Sequence, residues 1–134
     1  RMRNIAAPFE IRPLENSNED DKSIRRIWVK TVAPLPDDLN LHRTIMAYVS
    51  DFGLLWTVIA SKGYKMSNDD LMLASLDHAM WFHRPFRIDE WLLYECEAVS
   101  ASRARGLAKG AFYTEHGELV CTVTQEGLIR VLDK

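Results

Sequence analysis

The sequence predicts an α+β domain in which a curved antiparallel sheet wraps around one long central helix. Residues 41–60 are apolar nearly all round, which is typical of a helix enclosed by other elements. From Leu71 onward, strand-like runs follow one another. With 134 residues the chain can bury one core, so we expect a single domain covering residues 1–134.

Two short strands are expected before the helix, over residues 9–13 and 24–31. In the second strand Ile27 and Val29 alternate with more polar residues, so one face of it should be covered. Residues 15–22 (ENSNEDDK) contain no apolar side chain and are expected to form a solvated loop between the two strands.

Helix-boundary residues flank the central helix. Pro34 and Pro36 break the chain ahead of it, and Asp37 and Asp38 offer carboxylates that can cap its first turn. Gly63 is the expected stop at its C-terminal end.

Four strands are expected after the helix, in the segments LMLASLD, WLLYECEAV, RARGLAKGAFYT and ELVCTVTQEGLIRVL. His116-Gly117 is the expected tight turn between the last two.

The composition is that of a globular protein, with 47% hydrophobic and 27% charged residues. The formal net charge of −2 argues against nucleic acid as a partner, because phosphate binding depends on clustered positive charge. Cys96 and Cys121 fall in apolar runs without metal-type spacing, so we expect reduced core thiols in an intracellular protein.

No membrane span is expected. A spanning helix needs about 20 uninterrupted apolar residues. The apolar run at residues 41–60 is interrupted by His42, Arg43 and Asp51.

Asp51 is the most unusual residue of the predicted helix, because the side on which it lies is otherwise apolar. We therefore expect it to be buried or to lie at the bottom of a cleft. Burying a carboxylate without compensating charge or hydrogen bonds costs folding free energy, so a buried Asp51 should have a functional or structural role. That role could be chemistry, or Asp51 could cap a neighbouring element or pair with an arginine.

Two further polar residues face where apolar ones are expected. Gln125 is next on the strand face that carries Leu119, Cys121 and Val123, and Ser75 shares a face with Leu71 and Leu73. Singly, a buried amide often satisfies backbone groups and a serine can bond locally. Together with Asp51, however, they could form a network that orients a water molecule while the carboxylate accepts its proton.

Other polar groups carry weaker signals. His78 and His83 are five residues apart, which does not match a metal-binding helix motif, so we interpret both as structural and expect neither a metal nor a cofactor. Arg103, Arg105 and Lys109 form a basic group in one strand, which could be a solvated face or could meet the phosphates of an anionic ligand.

The second half of the chain resembles the C-terminal part of the acyl-CoA thioesterase II family. The likeness rests on the string SLDHAMWFHRPFRIDEWLLYECEAVSASRARGLAKGAFY, on EHGELV and TQEGLIR after it, and on YVSDF in the helix. It extends over residues 9–131, and the DHxMWFHxPF block is its most specific part.

The resemblance implies a hot-dog fold and hydrolysis of acyl-CoA to a fatty acid and coenzyme A. It implies that an Asp, a Thr or Ser, and a Gln act together on the hydrolytic water. The matching positions are Asp51 in YVSDF, Ser75 in ASLDH and Gln125 in TQEG. We expect Asp51 to act as the base, with the other two fixing the water and no acyl-enzyme forming.

The family carries two hot-dog units in one chain, whereas this chain matches only the C-terminal one. A lone unit leaves an open sheet edge, so we expect either a homodimer or a piece of a longer protein. The resemblance also implies a peroxisomal location in a eukaryote and a cytoplasmic one otherwise.

Two rival functions stay open. A hot-dog dehydratase or hydratase would use His78 or Asp51, but it leaves Ser75 and Gln125 unexplained. A non-catalytic half that completes a partner's groove would gain stability by replacing Asp51 with an apolar residue.

Overall fold

The computed structural model describes residues 8–14, 23–63 and 71–131. These residues form β1 (Phe9–Leu14), β2 (Ile24–Thr31), α1 (Leu39–Ser50), α2 (Leu54–Ser61), β3 (Leu71–Phe82), β4 (Leu92–Ser102), β5 (Arg105–Thr114) and β6 (Leu119–Val131). All six predicted strands are confirmed, although β3 and β4 extend further than expected. The predicted polar loop at residues 15–22 lies outside the described residues.

The strands form one antiparallel sheet in the order β1-β2-β4-β5-β6-β3. Within the described part of the chain, β1 and β3 are therefore the edge strands. Both helices lie against one face of the sheet, where α2 contacts β4, β5 and β6 and α1 contributes Met46 and Val49 to the shared core. The predicted α+β arrangement, with the sheet around a central helical segment, is confirmed.

The core lies between the helices and the inner face of the sheet. Ile27 and Val29 of β2 are buried, as their alternation predicted. Tyr94 of β4 stacks on Phe112 of β5, with ring centroids 3.9 Å apart. This aromatic pair lies at the middle of the sheet and supports the helical segment above it.

Two glycines on the inner face permit close packing against the sheet. A Cβ atom added at Gly127 would lie 2.5 Å from Leu55 of α2, and one at Gly110 would lie 2.6 Å from the Tyr94 ring. Such contacts are too short for any buried side chain to tolerate without moving. Glycine at position 127 thus lets α2 lie close to the sheet, and glycine at position 110 lets the Tyr94 ring lie flat over β5.

The central helix is interrupted, contrary to the expectation of one continuous helix. α1 ends at Ser50, Asp51 is its C-cap, and α2 begins at Leu54. Gly53 has a φ of +87°, a left-handed conformation that favours glycine. The physical cause of the break is therefore a turn over residues 51–53 that the apolar pattern does not reveal.

By length and hydropathy alone, the whole segment Leu39–Ser61 would be long enough to cross a bilayer. In this structure it lies against the inner face of the sheet, and its apolar residues form part of the core. A core helix of a globular domain passes the same test of length and composition.

The N-terminal end of α1 is held by the two predicted aspartates in different ways. The Asp38 carboxylate accepts hydrogen bonds from the backbone N–H groups of Asn40 at 3.0 Å and Leu41 at 3.4 Å, which confirms it as the N-cap. Asp37 instead pairs with Arg87. Arg87 also bonds to Asp89, and this contact holds the pKa of the Asp89 carboxyl below its usual range.

Replacing Asp38 by Ala should lower the free energy of unfolding by about 1 kcal/mol, because two N–H groups of the first turn lose their acceptor. Urea denaturation followed by circular dichroism measures the change. Glu115→Ala, in the exposed turn between β5 and β6, is the control and should leave the midpoint unchanged. Equal midpoints for the two variants would contradict the capping role.

Cys96 and Cys121 are buried and free, as predicted. Burial raises the pKa of the Cys96 thiol to about 12 and that of Cys121 to about 11. Because the thiolate is the reactive form, iodoacetamide near neutral pH should alkylate neither residue in the folded chain and both in urea, as read by intact mass. Rapid labelling of the folded chain would contradict this burial.

Candidate active site

The pairing of β3 with β6 contains an irregularity that decides which side chains face inward. His78 is opposite Gln125, and Ser75 is opposite Gly127, with a register shift between Ser75 and Asp77. Leu76 is the extra residue at this bulge. Because of it, Ser75 and His78 lie on the same face although they are three residues apart.

Gln125 joins two of these residues through its amide. Its Nε2 donates to the Ser75 hydroxyl at 2.9 Å, and its Oε1 lies 2.5 Å from His78 Nδ1. Gln125 is only 1% exposed. The predicted inward glutamine is confirmed. The expectation that Ser75 is buried was wrong, because β3 is an edge strand and Ser75 is exposed there.

His78 extends this polar row to the end of α1. Its Nε2 lies 2.8 Å from the Ser50 hydroxyl, and that hydroxyl also lies 2.7 Å from the Ala47 carbonyl. We name the four side chains Ser50, His78, Gln125 and Ser75 the polar row. It runs from the helix break to the outer edge of the sheet.

Tyr94 anchors the helix end of the polar row. Its hydroxyl donates to the Ser50 carbonyl at 2.5 Å, and burial raises the pKa of Tyr94 well above its ordinary value. The hydroxyl therefore stays protonated and remains a donor over the physiological pH range. This bond fixes the backbone immediately before Asp51.

Asp51 is exposed, so the expectation that it is buried was wrong. Its position as C-cap of α1, in the turn over residues 51–53, carries it out of the apolar side that helical periodicity assigned to it. Among the described residues, no hydrogen bond joins its carboxylate to Ser75 or Gln125. Asp51 is connected to the polar row through the peptide bond to Ser50.

The three predicted basic residues are all exposed at or near the hairpin between β4 and β5. Arg103 lies in the turn, with a φ of +53°, rather than in the strand as predicted. Arg105 begins β5, and Lys109 is 3.6 Å from Glu97, with which it forms an ion pair. The structure thus brings two of them to one hairpin and pairs the third with Glu97.

A cavity of about 330 Å³ lies between α2 and this hairpin. Its walls are mostly apolar, and Lys62 and Arg105 line it together. A second cavity of about 320 Å³ lies beside the helix break and is lined by Phe52, Gly53 and Tyr94, among others. Apolar space therefore flanks the helical segment on both sides.

His78 was predicted to be structural, but it is a member of the polar row. A signal for it exists: Leu73 and Ser75 follow one alternation, whereas His78, Met80 and Phe82 follow the opposite one. The change of phase indicates a bulge between the two sets. Once the bulge is placed, His78 faces the same side as Gln125.

Comparisons with known proteins agree with the fold. The family model for acyl-CoA thioesterases matches residues 4–128. Human acyl-coenzyme A thioesterase 8 is 36% identical over 129 residues, which cover 92% of this chain and 40% of that protein. Acyl-CoA thioesterase 2 of Haemophilus influenzae is 35% identical over 127 residues, with 92% and 44% coverage.

Solved structures give the same result. An acyl-CoA thioesterase II from Mycobacterium marinum superposes with a TM-score of 0.83 at 40% identity, covering 93% of this chain and 50% of that one. A hot-dog protein from Alicyclobacillus acidocaldarius, with a TM-score of 0.72 at 18% identity, covers 95% of this chain and 47% of that one and supports the fold alone. The chain spans about half or less of the length of the relatives named here. It has the hot-dog fold and belongs to the acyl-CoA thioesterase family.

Proposed function

We propose that this chain hydrolyses fatty acyl-CoA to a free fatty acid and coenzyme A, and that it corresponds to the C-terminal hot-dog unit of the two-unit thioesterases. The proposal rests on the hydrogen bond between Gln125 and Ser75, which the polar row links through His78 and Ser50 to the helix break that presents Asp51. These three residues occupy the positions that the family resemblance assigns to the hydrolytic water.

In this mechanism a water molecule attacks the thioester carbonyl. Asp51 accepts a proton from the water as the new C–O bond forms. The C–S bond then breaks, and the thiolate of coenzyme A leaves and takes up a proton. The exposure of Asp51 supports this role, because water must reach the carboxylate.

The contacts of Ser75 favour water over serine as the nucleophile. A nucleophilic serine needs an adjacent base that accepts its proton. The contact that the structure gives Ser75 is an amide N–H donor, Gln125 Nε2, which cannot accept a proton. Ser75 and Gln125 are thus suited to hold a water molecule or the thioester oxygen by hydrogen bonds.

We assign Arg103 and Arg105 to the phosphates of coenzyme A. Gly106, Gly127 and Ser75 are in register across β5, β6 and β3. Because neighbouring strands are about 4.8 Å apart, the hairpin that bears both arginines begins roughly 10 Å from Ser75. Lys109 contributes less, since it already forms an ion pair with Glu97.

We further propose that β3 pairs with a second hot-dog unit, either another copy of this chain or a unit that corresponds to the N-terminal half of the two-unit thioesterases. β3 is an edge strand, and it carries Leu76 and Trp81 with 51% and 52% of their surface exposed. An open apolar edge is a template for strand pairing. The buried free thiols suit an intracellular location.

Replacing Asp51 by Asn should lower the rate of thiol release from acyl-CoA by about 10²–10⁴-fold, the contribution expected of a general base. Asp77→Asn, a matched change at an exposed position of β3, is the control and should retain activity. Thermal unfolding of both variants verifies that they are folded. Unchanged turnover in Asp51→Asn would remove Asp51 from the mechanism, and no turnover by the folded wild type would favour a non-catalytic half.

Replacing Leu76 by Glu should shift the chain from dimer to monomer in sedimentation velocity, because a charge is then placed at the proposed interface. Val99→Glu is the control, since Val99 is 50% exposed on β4, away from the edge strand. A wild type that is monomeric at all concentrations would contradict self-pairing, as would a dimer that survives Leu76→Glu.

A further inference from the structure

We propose that His78 is a positioning residue that holds the Gln125 amide in the one orientation that leaves the Ser75 hydroxyl free to donate to the reacting group. This inference rests on the proposed thioesterase function. His78 takes no part in the mechanism given above, yet both of its ring nitrogens make contacts within the polar row.

The direction of each hydrogen bond in the row follows from its chemistry. The Gln125 carbonyl oxygen can only accept, so the His78 nitrogen that faces it at 2.5 Å must carry a hydrogen. That bond turns the Gln125 NH₂ group toward Ser75, whose oxygen accepts it at 2.9 Å. The hydrogen of the Ser75 hydroxyl is then available to a water molecule or a thioester oxygen.

Without the His78 donor, no hydrogen bond to the Gln125 oxygen fixes this orientation of the amide. The oxygen and nitrogen of a glutamine amide are nearly equal in shape, and rotation about the last side-chain bond is soft. A flipped amide would present its oxygen to Ser75, and the Ser75 hydroxyl would donate to that oxygen. The Ser75 hydroxyl hydrogen would then be bonded within the protein and could not donate to the reacting group.

The role of His78 does not depend on the charge of its ring. In the neutral ring, Nδ1 donates to Gln125 and Nε2 accepts from the Ser50 hydroxyl. In the charged ring, Nε2 donates to Ser50, whose hydroxyl can turn to the Ala47 carbonyl 2.7 Å away. In both forms Nδ1 is a donor, so the orientation of the Gln125 amide is the same.

The chain provides a matched control in His83. Its Nε2 lies 2.8 Å from the Thr122 hydroxyl, so it also bridges the end of β3 to β6. Among the described residues, no hydrogen bond joins it to Gln125 or Ser75. A purely structural role for such histidines would make the two replacements equivalent.

The test compares His78→Ala, His78→Asn and His83→Ala in the full chain, by kcat and KM for thiol release and by thermal unfolding. We expect kcat to fall about 10- to 100-fold in His78→Ala with KM nearly unchanged, the usual effect of losing a group that orients a functional side chain. His78→Asn should recover part of kcat, because its amide can donate to the Gln125 oxygen. Equal kcat in the two alanine variants would overturn the proposal.

A readout independent of turnover separates this inference from the proposed function. The side-chain NH₂ signals of Gln125, followed by ¹⁵N NMR, should exchange slowly with water in the wild type and in His83→Ala. They should shift and exchange faster in His78→Ala. Unchanged signals in His78→Ala would overturn the role of His78, whereas a wild type that releases no thiol but shows the expected signals would contradict only the thioesterase proposal.

Discussion

The hydrogen bond from the Tyr94 hydroxyl to the Ser50 carbonyl fixes the end of α1 next to the turn at which left-handed Gly53 breaks the central helix. Tyr94 cannot shift, because it stacks on Phe112 and fills the space above Gly110. Since a buried hydroxyl needs a hydrogen-bond partner, this bond also satisfies Tyr94 and holds the end of α1 beside it. The position of Asp51, one residue later, therefore follows from the packing of the core rather than from any contact of its own.

The polar row connects this buried anchor to the surface. Gln125 is enclosed, whereas Ser75, two strands from the hairpin that bears the basic residues, is exposed on the edge strand β3. One end of the row thus lies in the core, and the other end lies at an exposed edge that water can reach. Such an arrangement combines fixed orientation with solvent access, which hydrolysis by water requires.

The architecture and one part of the site were predictable from the sequence because they depend on periodicity. The inward Gln125 and the bounds of β2 follow from strict alternation of residues. Asp51 was placed wrongly, because helical periodicity assumes a continuous helix and the left-handed Gly53 breaks it. His78 was missed because the bulge at Leu76 reverses the alternation within β3, so a single alternation continued from Leu73 and Ser75 places His78 on the opposite face.

The proposed function depends on one step, the direct attack on the thioester by a water molecule held by Asp51, Ser75 and Gln125. Its most direct test is a single turnover in ¹⁸O-labelled water with enzyme in excess, analysed by the mass of the acid and of the quenched protein. With direct attack by water, the acid of the first turnover should carry one ¹⁸O atom and the protein should bear no acyl group. An acylated protein, or an unlabelled acid in that turnover, would contradict direct attack.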